Sequence, residues 1–275
     1  MKLDLHVHCN SEDPVLVEQL LMTIREQQTV IALSGGLRYG EHDYAPNEFV
    51  LALAQREPQW VIPVARFDLW DQVDVALVDR YADAGFRALK FIYPYYEYDH
   101  DLYMPVYEAA ARCGLPVLFH TGNFRPSEAD VRWRRPVLRN MMPLTLDRIA
   151  RSFPNLNIVM AHLGTSVWRH EAAELLKIHP NLYADLAGCG AYLSISPDVL
   201  INLLRPELPR LDRDCSIFRK LVYGSDAYVT HPHLIGQAQT AYLQMIRTIG
   251  LSQDIIDDIM GGTVAKWLNL TLSSK

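Results

Sequence analysis

The 275-residue chain lacks the features that would assign it to several special classes. It has only four cysteines and no Cys-x-x-Cys pair, so neither a disulfide framework nor a cysteine-rich zinc site is expected. No stretch approaches the ~20 continuous apolar residues that cross a bilayer. Residues 1–6 place a charged Asp4 where a secretory signal needs the start of its apolar core. These absences predict a cytoplasmic globular protein.

The chain also lacks a large excess of charge of either sign. The chain has 26 Lys and Arg against 32 Asp and Glu, a formal net charge of −6, and no run of five like charges. A mild acidic excess gives no attraction to nucleic acid or to an anionic membrane, so neither is expected as a partner. We expect a small-molecule partner instead, and a homodimer stays open.

Short apolar runs alternate with helical patterns along the whole length. Some of these runs, such as 117–119 and 158–160, are apolar without alternation, which is typical of parallel strands buried on both faces. The predicted strands are Leu3 to His8, Val30 to Ser34, Trp60 to Phe67, Ala88 to Tyr93, Pro116 to His120, Asn157 to His162, Leu182 to Leu186 and Leu221 to Ser225.

Two architectures fit this alternation: a closed barrel of eight parallel strands, or an open doubly wound sheet. An open dinucleotide-binding sheet would have a Gly-x-Gly-x-x-Gly turn after its first strand, but residues 6–10 read His-Val-His-Cys-Asn. We therefore predict an α/β fold, a (β/α)8 TIM barrel that forms a single domain over residues 1–275. A terminal helix around 255–270 is expected to pack back on the barrel.

The first strand carries two histidines. His6 and His8 are two positions apart, so their side chains point to the same face, and we expect Leu3, Leu5 and Val7 to point to the other. Two adjacent imidazoles at a strand end are half of a divalent metal site. Taken alone, the pair could equally be hydrogen-bonded core histidines.

Other strands end in the same kind of residue. His120 ends the fifth predicted strand, His162 the sixth and Asp226 the eighth, and each is the first metal-competent side chain after an apolar run. In a parallel barrel these ends meet at the carboxyl-end face, where such barrels place their active sites. The pattern therefore predicts one shared metal site at that face.

This arrangement resembles the amidohydrolase superfamily of metal-dependent barrels, and residues 259–268 are similar to the terminal helix of its "amidohydrolase 2" branch. The resemblance implies that His6, His8, His120 and Asp226 bind one divalent ion, zinc or alternatively manganese. It also implies that His162 holds or activates a water and that Asp226 moves a proton, so both are catalytic candidates.

The expected activity is that of a metal-dependent hydrolase acting on a small, carboxylate-bearing ester, lactone or amide. Because the branch includes lyases, a non-oxidative decarboxylase or hydratase is the alternative. Residues 4–8 also resemble the opening motif of the polymerase-and-histidinol-phosphatase phosphoesterases. Those enzymes need an Asp-His pair after the second strand, which residues 32–37 lack, so a phosphoesterase is a minor alternative.

Cationic and aromatic residues near the same face are candidates for binding an anionic substrate. Lys90 lies on the fourth strand, Arg66 ends the third, Tyr93 follows the fourth, and Arg125 begins an arginine-rich loop after His120. Ammonium and guanidinium groups suit a carboxylate.

Each candidate has an alternative. Lys90 could pair with a carboxylate or, as in binuclear members of the superfamily, be carboxylated between two metals. Arg66 could form an interstrand ion pair, the loop arginines could pair with Glu128 and Asp130, and Tyr93 could pack at the rim. We interpret Cys9, beside the histidine pair, as a packing residue.

Overall fold

A computed structural model describes residues 1–36, 44–123, 137–188, 191–205 and 215–272. Within these residues eight parallel strands form one sheet, in the order β7-β6-β5-β4-β3-β2-β1-β8. The strands are β1 (Lys2–His8), β2 (Thr29–Ser34), β3 (Val61–Arg66), β4 (Ala88–Phe91), β5 (Val117–His120), β6 (Ile158–Ala161), β7 (Leu182–Ala184) and β8 (Ala227–Tyr228).

The sheet closes through the segment that precedes β8. Val222 donates a backbone hydrogen bond to Ala184 of β7 at 2.9 Å, and Leu5 of β1 donates one to Tyr223 at 3.0 Å. The predicted (β/α)8 barrel is therefore confirmed. The eighth strand was predicted over 221–225, but β8 is Ala227–Tyr228, so the predicted bounds are wrong. Asp226 has a left-handed φ of 58°, and this residue separates the closing segment from β8.

Helices cover the outside of the sheet. The first begins after Asp13, whose carboxylate accepts a hydrogen bond from the Val15 N–H at 2.8 Å, and Pro14 occupies its first turn. The helices are Pro14–Glu26, Asn47–Arg56, Ala76–Ala84, Met104–Arg112, Leu146–Ser152, Thr165–Ile178, Ala191–Ser194, Pro197–Leu204, His233–Ile249, Gln253–Asp257 and Thr263–Trp267. Among the described residues, no helix has the length and apolar character that a bilayer span requires.

The predicted terminal helix over 255–270 is divided in two. Gln253–Asp257 and Thr263–Trp267 are separated by a π-helical turn, Asp258–Gly262, in which Gly261 has a φ of 135°. A side chain at Gly261 would place its Cβ 2.5 Å from the backbone nitrogen of Leu3. Glycine thus lets this turn pack directly against β1.

The barrel interior changes from apolar to polar along the strands. Its apolar part includes Ile62 and Val64 of β3, Ala88 of β4 and Leu118 of β5. Alternate residues of a strand face the same side, so the next inward positions are Arg66, Lys90, His120 and, after β7, Asp185. The carboxyl ends of the strands therefore carry a cluster of buried polar side chains.

An irregularity in β1 determines how its histidines enter this cluster. Asp4 pairs with Ile31 but Val7 pairs with Leu33, so β1 contains one extra residue between these positions. Leu3 and Leu5 consequently pack inside the barrel, whereas Val7 packs against the outer helices. The expectation that these three residues share one face was wrong, because the extra residue reverses the alternation before His6 and His8.

Candidate metal centre and active site

Asp226 and the two histidines of β1 form a compact group at the carboxyl ends of the strands. Asp226 Oδ1 lies 3.0 Å from His8 Nε2 and 3.3 Å from His6 Nε2, and the two Nε2 atoms are 3.1 Å apart. The backbone N–H of Asp226 donates to the His6 carbonyl at 2.8 Å, which fixes the carboxylate beside β1. The structure thus brings three of the four predicted metal ligands together.

The hydrogen bonds of the two rings fix which nitrogen of each carries its proton. Ser34 Oγ donates to the Val7 carbonyl at 3.2 Å, so at 3.3 Å it accepts from His8 Nδ1. His6 Nδ1 lies 2.9 Å from Asp185 Oδ2, an acceptor. Both Nε2 atoms therefore present lone pairs toward each other and toward Asp226.

The electrostatics of the group fit a divalent cation. Burial lowers the pKa of His8 to about 3 and also lowers the pKa of His6, which keeps both rings neutral at pH 7. Although burial raises the pKa of Asp226, the pKa stays well below its usual range, so the side chain is a carboxylate. Two neutral imidazoles and a carboxylate are the donors that zinc and similar ions prefer.

His120 and His162 form a second contact beside this group. His162 Nδ1 donates to the Ala187 carbonyl at 2.9 Å, so its Nε2 accepts from His120 Nδ1 at 3.1 Å. His120 Nε2 is buried and has no hydrogen-bond partner in the described part of the chain. His120, the fourth predicted ligand, therefore pairs with His162 and lies outside the compact groups of ligand atoms.

Backbone strain concentrates at these strand ends. His162, Asp226 and Tyr93 are non-glycine residues with left-handed φ values of 66°, 58° and 55°. Such conformations persist only where surrounding contacts enforce them, and they cluster at functional sites. At His162 the enforcing contact is a hydrogen bond of 2.7 Å from its backbone N–H to Asp185 Oδ1.

The predicted substrate-binding residues have different surroundings. Lys90 is buried, and its Nζ lies 2.6 Å from His6 Nε2, at the candidate metal centre itself. Burial lowers the pKa of Lys90 to about 8. Arg66 is buried and pairs with Asp68 at 3.1 Å, while the Tyr93 ring lies 6.3 Å from the His120 ring. Arg125 lies outside the described residues.

The sequence interpretation missed Asp185. Its side chain is fully buried, and it contacts His6 and the backbone of His162. The signal was present in the sequence, since Asp185 is the first polar residue after the β7 run Leu182–Ala184. The rule that selected His120 and His162 would therefore have selected Asp185 as well.

Cys9 follows the histidine pair but takes no part in the group. It is fully buried, its thiol is 3.6 Å from the Ser11 carbonyl, and burial raises its pKa to about 12. A buried thiol of this kind is not a nucleophile at neutral pH.

A barrel that gathers histidines and carboxylates at the carboxyl ends of its strands defines a class of metal-dependent enzymes. The chain belongs to the amidohydrolase family, whose model matches residues 17–270. The family resemblance seen in the sequence is therefore confirmed, and the protein is an enzyme of this metal-dependent family. His6 and His8 precede the matched range.

Solved structures of similar fold cover nearly the whole chain. An uncharacterised TIM-barrel protein from Bordetella bronchiseptica is 17% identical, with a TM-score of 0.70 and 98% of each chain covered. A probable 2-pyrone-4,6-dicarboxylic acid hydrolase from Acinetobacter baumannii, solved with citric acid bound, is 12% identical, with a TM-score of 0.63, 98% of this chain and 99% of that chain covered.

A dihydroxybenzoic acid decarboxylase from Polaromonas, solved with manganese and the inhibitor 2-nitroresorcinol, is 15% identical, with a TM-score of 0.63, 98% of this chain and 96% of that chain covered. No curated protein sequence matches the chain significantly. At these identities the structural likeness establishes the fold alone.

Proposed function

We propose that the protein is a metal-dependent hydrolase of a small, carboxylate-bearing ester, lactone or amide. The observation that carries the proposal is the convergence of Asp226 Oδ1 on the Nε2 atoms of His6 and His8. These three residues and His120, whose Nε2 is buried without a partner in the described chain, would hold one divalent ion. Zinc suits this donor set, and manganese, present in the Polaromonas decarboxylase, is the alternative.

The chain supplies the proton-handling groups that hydrolysis needs. When bound, the ion would activate a water molecule and polarise the carbonyl of the substrate. Asp226, ionised beside His6 and His8, would accept a proton from the water at Oδ1 or Oδ2 and return it to the leaving group. To orient that water, His162 would exchange at Nε2 the hydrogen bond that it accepts from His120 Nδ1, because its Nδ1 already donates to the Ala187 carbonyl.

Buried positive charge supports a carboxylate substrate. Lys90 lies at the centre and is the cation that supports this substrate class; Arg66, its register partner on β3, is already paired with Asp68. A carboxylate would match this charge through charge-assisted hydrogen bonds. The dicarboxylic acid and the citric acid named for the Acinetobacter neighbour are of the same chemical class. Arg125 and Tyr93 remain proposed substrate contacts.

Non-oxidative decarboxylation is the second candidate, because the Polaromonas neighbour is a decarboxylase of similar fold. The two reactions differ in proton balance: ester or lactone hydrolysis near neutral pH releases acid, whereas decarboxylation consumes a proton and releases carbon dioxide. A screen of small carboxylic esters, lactones and aromatic acids should therefore follow a pH indicator and carbon dioxide together. Acid release without carbon dioxide is expected.

Metal analysis tests the site directly. We expect about one zinc or manganese per chain in protein purified without chelator, and loss of the metal in His8→Ala and Asp226→Asn. The exposed His233→Ala serves as the matched control and should keep its metal. A wild-type protein that binds neither ion when these are supplied would overturn the proposal.

We also propose that residues 1–275 form one domain, since the turn after Gln253–Asp257 packs on β1.

A further inference from the structure

Both carboxylate oxygens of Asp185 accept hydrogen bonds, and their donors lie in two different parts of the candidate site. Oδ2 lies 2.9 Å from His6 Nδ1. Oδ1 accepts backbone hydrogen bonds from His162 at 2.7 Å and from Ala187 at 2.9 Å. The side chain is fully buried, so water does not replace these contacts.

We propose that Asp185 is a positioning residue that fixes His6 in the tautomer protonated at Nδ1 and, with its other oxygen, holds the left-handed backbone of His162. The proposal rests on the proposed function in one respect, namely that His6 Nε2 is a metal ligand. A protonated Nδ1 leaves the Nε2 lone pair facing His8 and Asp226. The opposite tautomer would place a proton at the point where the three ligand atoms meet.

The contacts favour this role over direct metal binding. His6, His162 and Asp185 also form a group whose ligand atoms lie within 4.8 Å of one another, so a second ion is the competing interpretation. However, two backbone N–H groups already occupy Oδ1, and the 2.9 Å between Oδ2 and His6 Nδ1 is a hydrogen-bond distance. A Cβ at Gly224 would come within 3.1 Å of Oδ2, which shows how closely the chain packs around this oxygen.

Replacement by asparagine separates the two tasks of the carboxylate. In Asp185→Asn the amide oxygen can still accept from His162 and Ala187, while the amide nitrogen faces His6 Nδ1 as a donor. The amide thus opposes a proton on His6 Nδ1, whereas Lys90, whose Nζ lies 2.6 Å from Nε2, opposes a proton on Nε2. In the double variant Asp185→Asn, Lys90→Met only the first effect is left, and the proton moves to Nε2. In Asp185→Ala both tasks are lost, and two buried N–H groups are left without their acceptor.

The first measurement uses the metal-free protein. Nitrogen chemical shifts of the histidine rings distinguish the two tautomers, and His6→Ala identifies the signals of His6. We expect the Nδ1-protonated form in the wild type and in Lys90→Met alone, and the Nε2-protonated form in the double variant Asp185→Asn, Lys90→Met. A wild-type His6 protonated at Nε2 overturns the proposal even if neither variant folds.

The second measurement is zinc affinity, obtained by competition with a chromophoric chelator. Loss of a carboxylate that orients a ligating histidine weakens metal binding by about 10- to 100-fold, so we expect this loss in Asp185→Asn with little change in thermal unfolding. Asp147→Asn is the matched control, because Asp147 Oδ1 holds His179 Nε2 at 2.8 Å outside the site. This control should leave zinc affinity unchanged.

The outcomes separate this proposal from the proposed function. Unchanged zinc affinity in Asp185→Asn together with an unchanged His6 tautomer in the double variant Asp185→Asn, Lys90→Met overturns the positioning role. Two zinc ions in the wild type and one in Asp185→Asn would identify Asp185 as a ligand and also overturn it. If the tautomer reverses but wild-type protein binds no zinc or manganese, the positioning of His6 stands and the proposed metal-dependent function fails.

Discussion

The side chain of Asp4 accepts a hydrogen bond from the backbone N–H of Ser225 at 3.0 Å, and this bond joins β1 to the segment that closes the barrel. The same oxygen accepts from the His6 N–H, also at 3.0 Å, where β1 contains its extra residue. Asp4 is fully buried, so one carboxyl group holds His6 and the residue before Asp226 in a fixed relation. The backbone thereby aligns the histidines of β1 with Asp226 in the candidate metal centre.

Asp4→Ala should destabilise the protein by about 2–6 kcal/mol, because two buried N–H groups lose their acceptor at about 1–3 kcal/mol each. Asp4→Asn should cost less, since burial raises the pKa of Asp4 to about 7 and a neutral carboxamide oxygen can still accept. Urea unfolding measures both effects. The exposed cap variant Asp13→Ala should lose only about 1 kcal/mol. Equal losses for Asp4→Ala and Asp4→Asn would contradict the acceptor role.

Lys90→Met should raise KM for a carboxylate substrate by about 10- to 100-fold, since a charge-assisted hydrogen bond contributes about 1.5–3 kcal/mol. Methionine retains the apolar stem, so the stability of the barrel interior should change little by comparison. The matched control is Lys220→Met. Lys220 is only partly buried, but burial likewise lowers its pKa to about 8, and it lies over Tyr183 away from the site.

Steady-state kinetics and metal content should both be measured for Lys90→Met. An unchanged KM would exclude Lys90 as a substrate contact. Loss of bound metal from Lys90→Met would instead make the lysine a part of the metal centre, an outcome that its 2.6 Å contact with His6 Nε2 makes worth measuring.

The sequence predicted the fold, and it pointed to most residues of the candidate site, because both depend on short-range patterns. Apolar runs marked the parallel strands, and the first polar residue after each run marked His120 and His162 at the barrel's carboxyl end. Asp185 follows the same rule, so the sequence alone was sufficient to predict it as well.

Other features could not be read from local patterns. The extra residue in β1 depends on how Asp4 and Val7 pair with β2, and the left-handed backbone of Asp226 ends the closing segment before β8. Both features result from contacts between distant parts of the chain. The pairing of His120 with His162, rather than with His6 and His8, likewise depends on the hydrogen bond from His162 to the Ala187 carbonyl.

Cys9→Ala should retain most of the wild-type activity and lose about 1 kcal/mol of stability, because the thiol is fully buried and its polar contact is the Ser11 carbonyl. In the native wild type, Cys9 should resist maleimide labelling, whereas the partly exposed Cys113 should react. Mass spectrometry of peptides after timed labelling measures both. Rapid labelling of Cys9 with parallel loss of activity would make it a functional residue.

Gly188→Ala should reduce activity by about 100-fold, because displacement of catalytic groups by about 1 Å has effects of that size. A Cβ at Gly188 would lie 2.9 Å from His162 Nδ1 and 3.2 Å from Asp226 Oδ2, the two groups proposed to handle the water and its proton. The glycine also has a φ of 89°, so alanine adds backbone strain of about 1–2 kcal/mol.

Gly85→Ala separates the strain from the displacement. Gly85 has a φ of 104°, but a Cβ there would have no atom within 4 Å. Both variants should therefore lose the stability that the backbone strain costs, and Gly188→Ala should lose more because its Cβ also meets His162 Nδ1. Only Gly188→Ala should lose activity. Because Asp226 is also a proposed ligand, Gly188→Ala should weaken zinc binding as well. Equal activity in the two variants would show that the space beside His162 and Asp226 is not critical, and would remove His162 from the proposed mechanism.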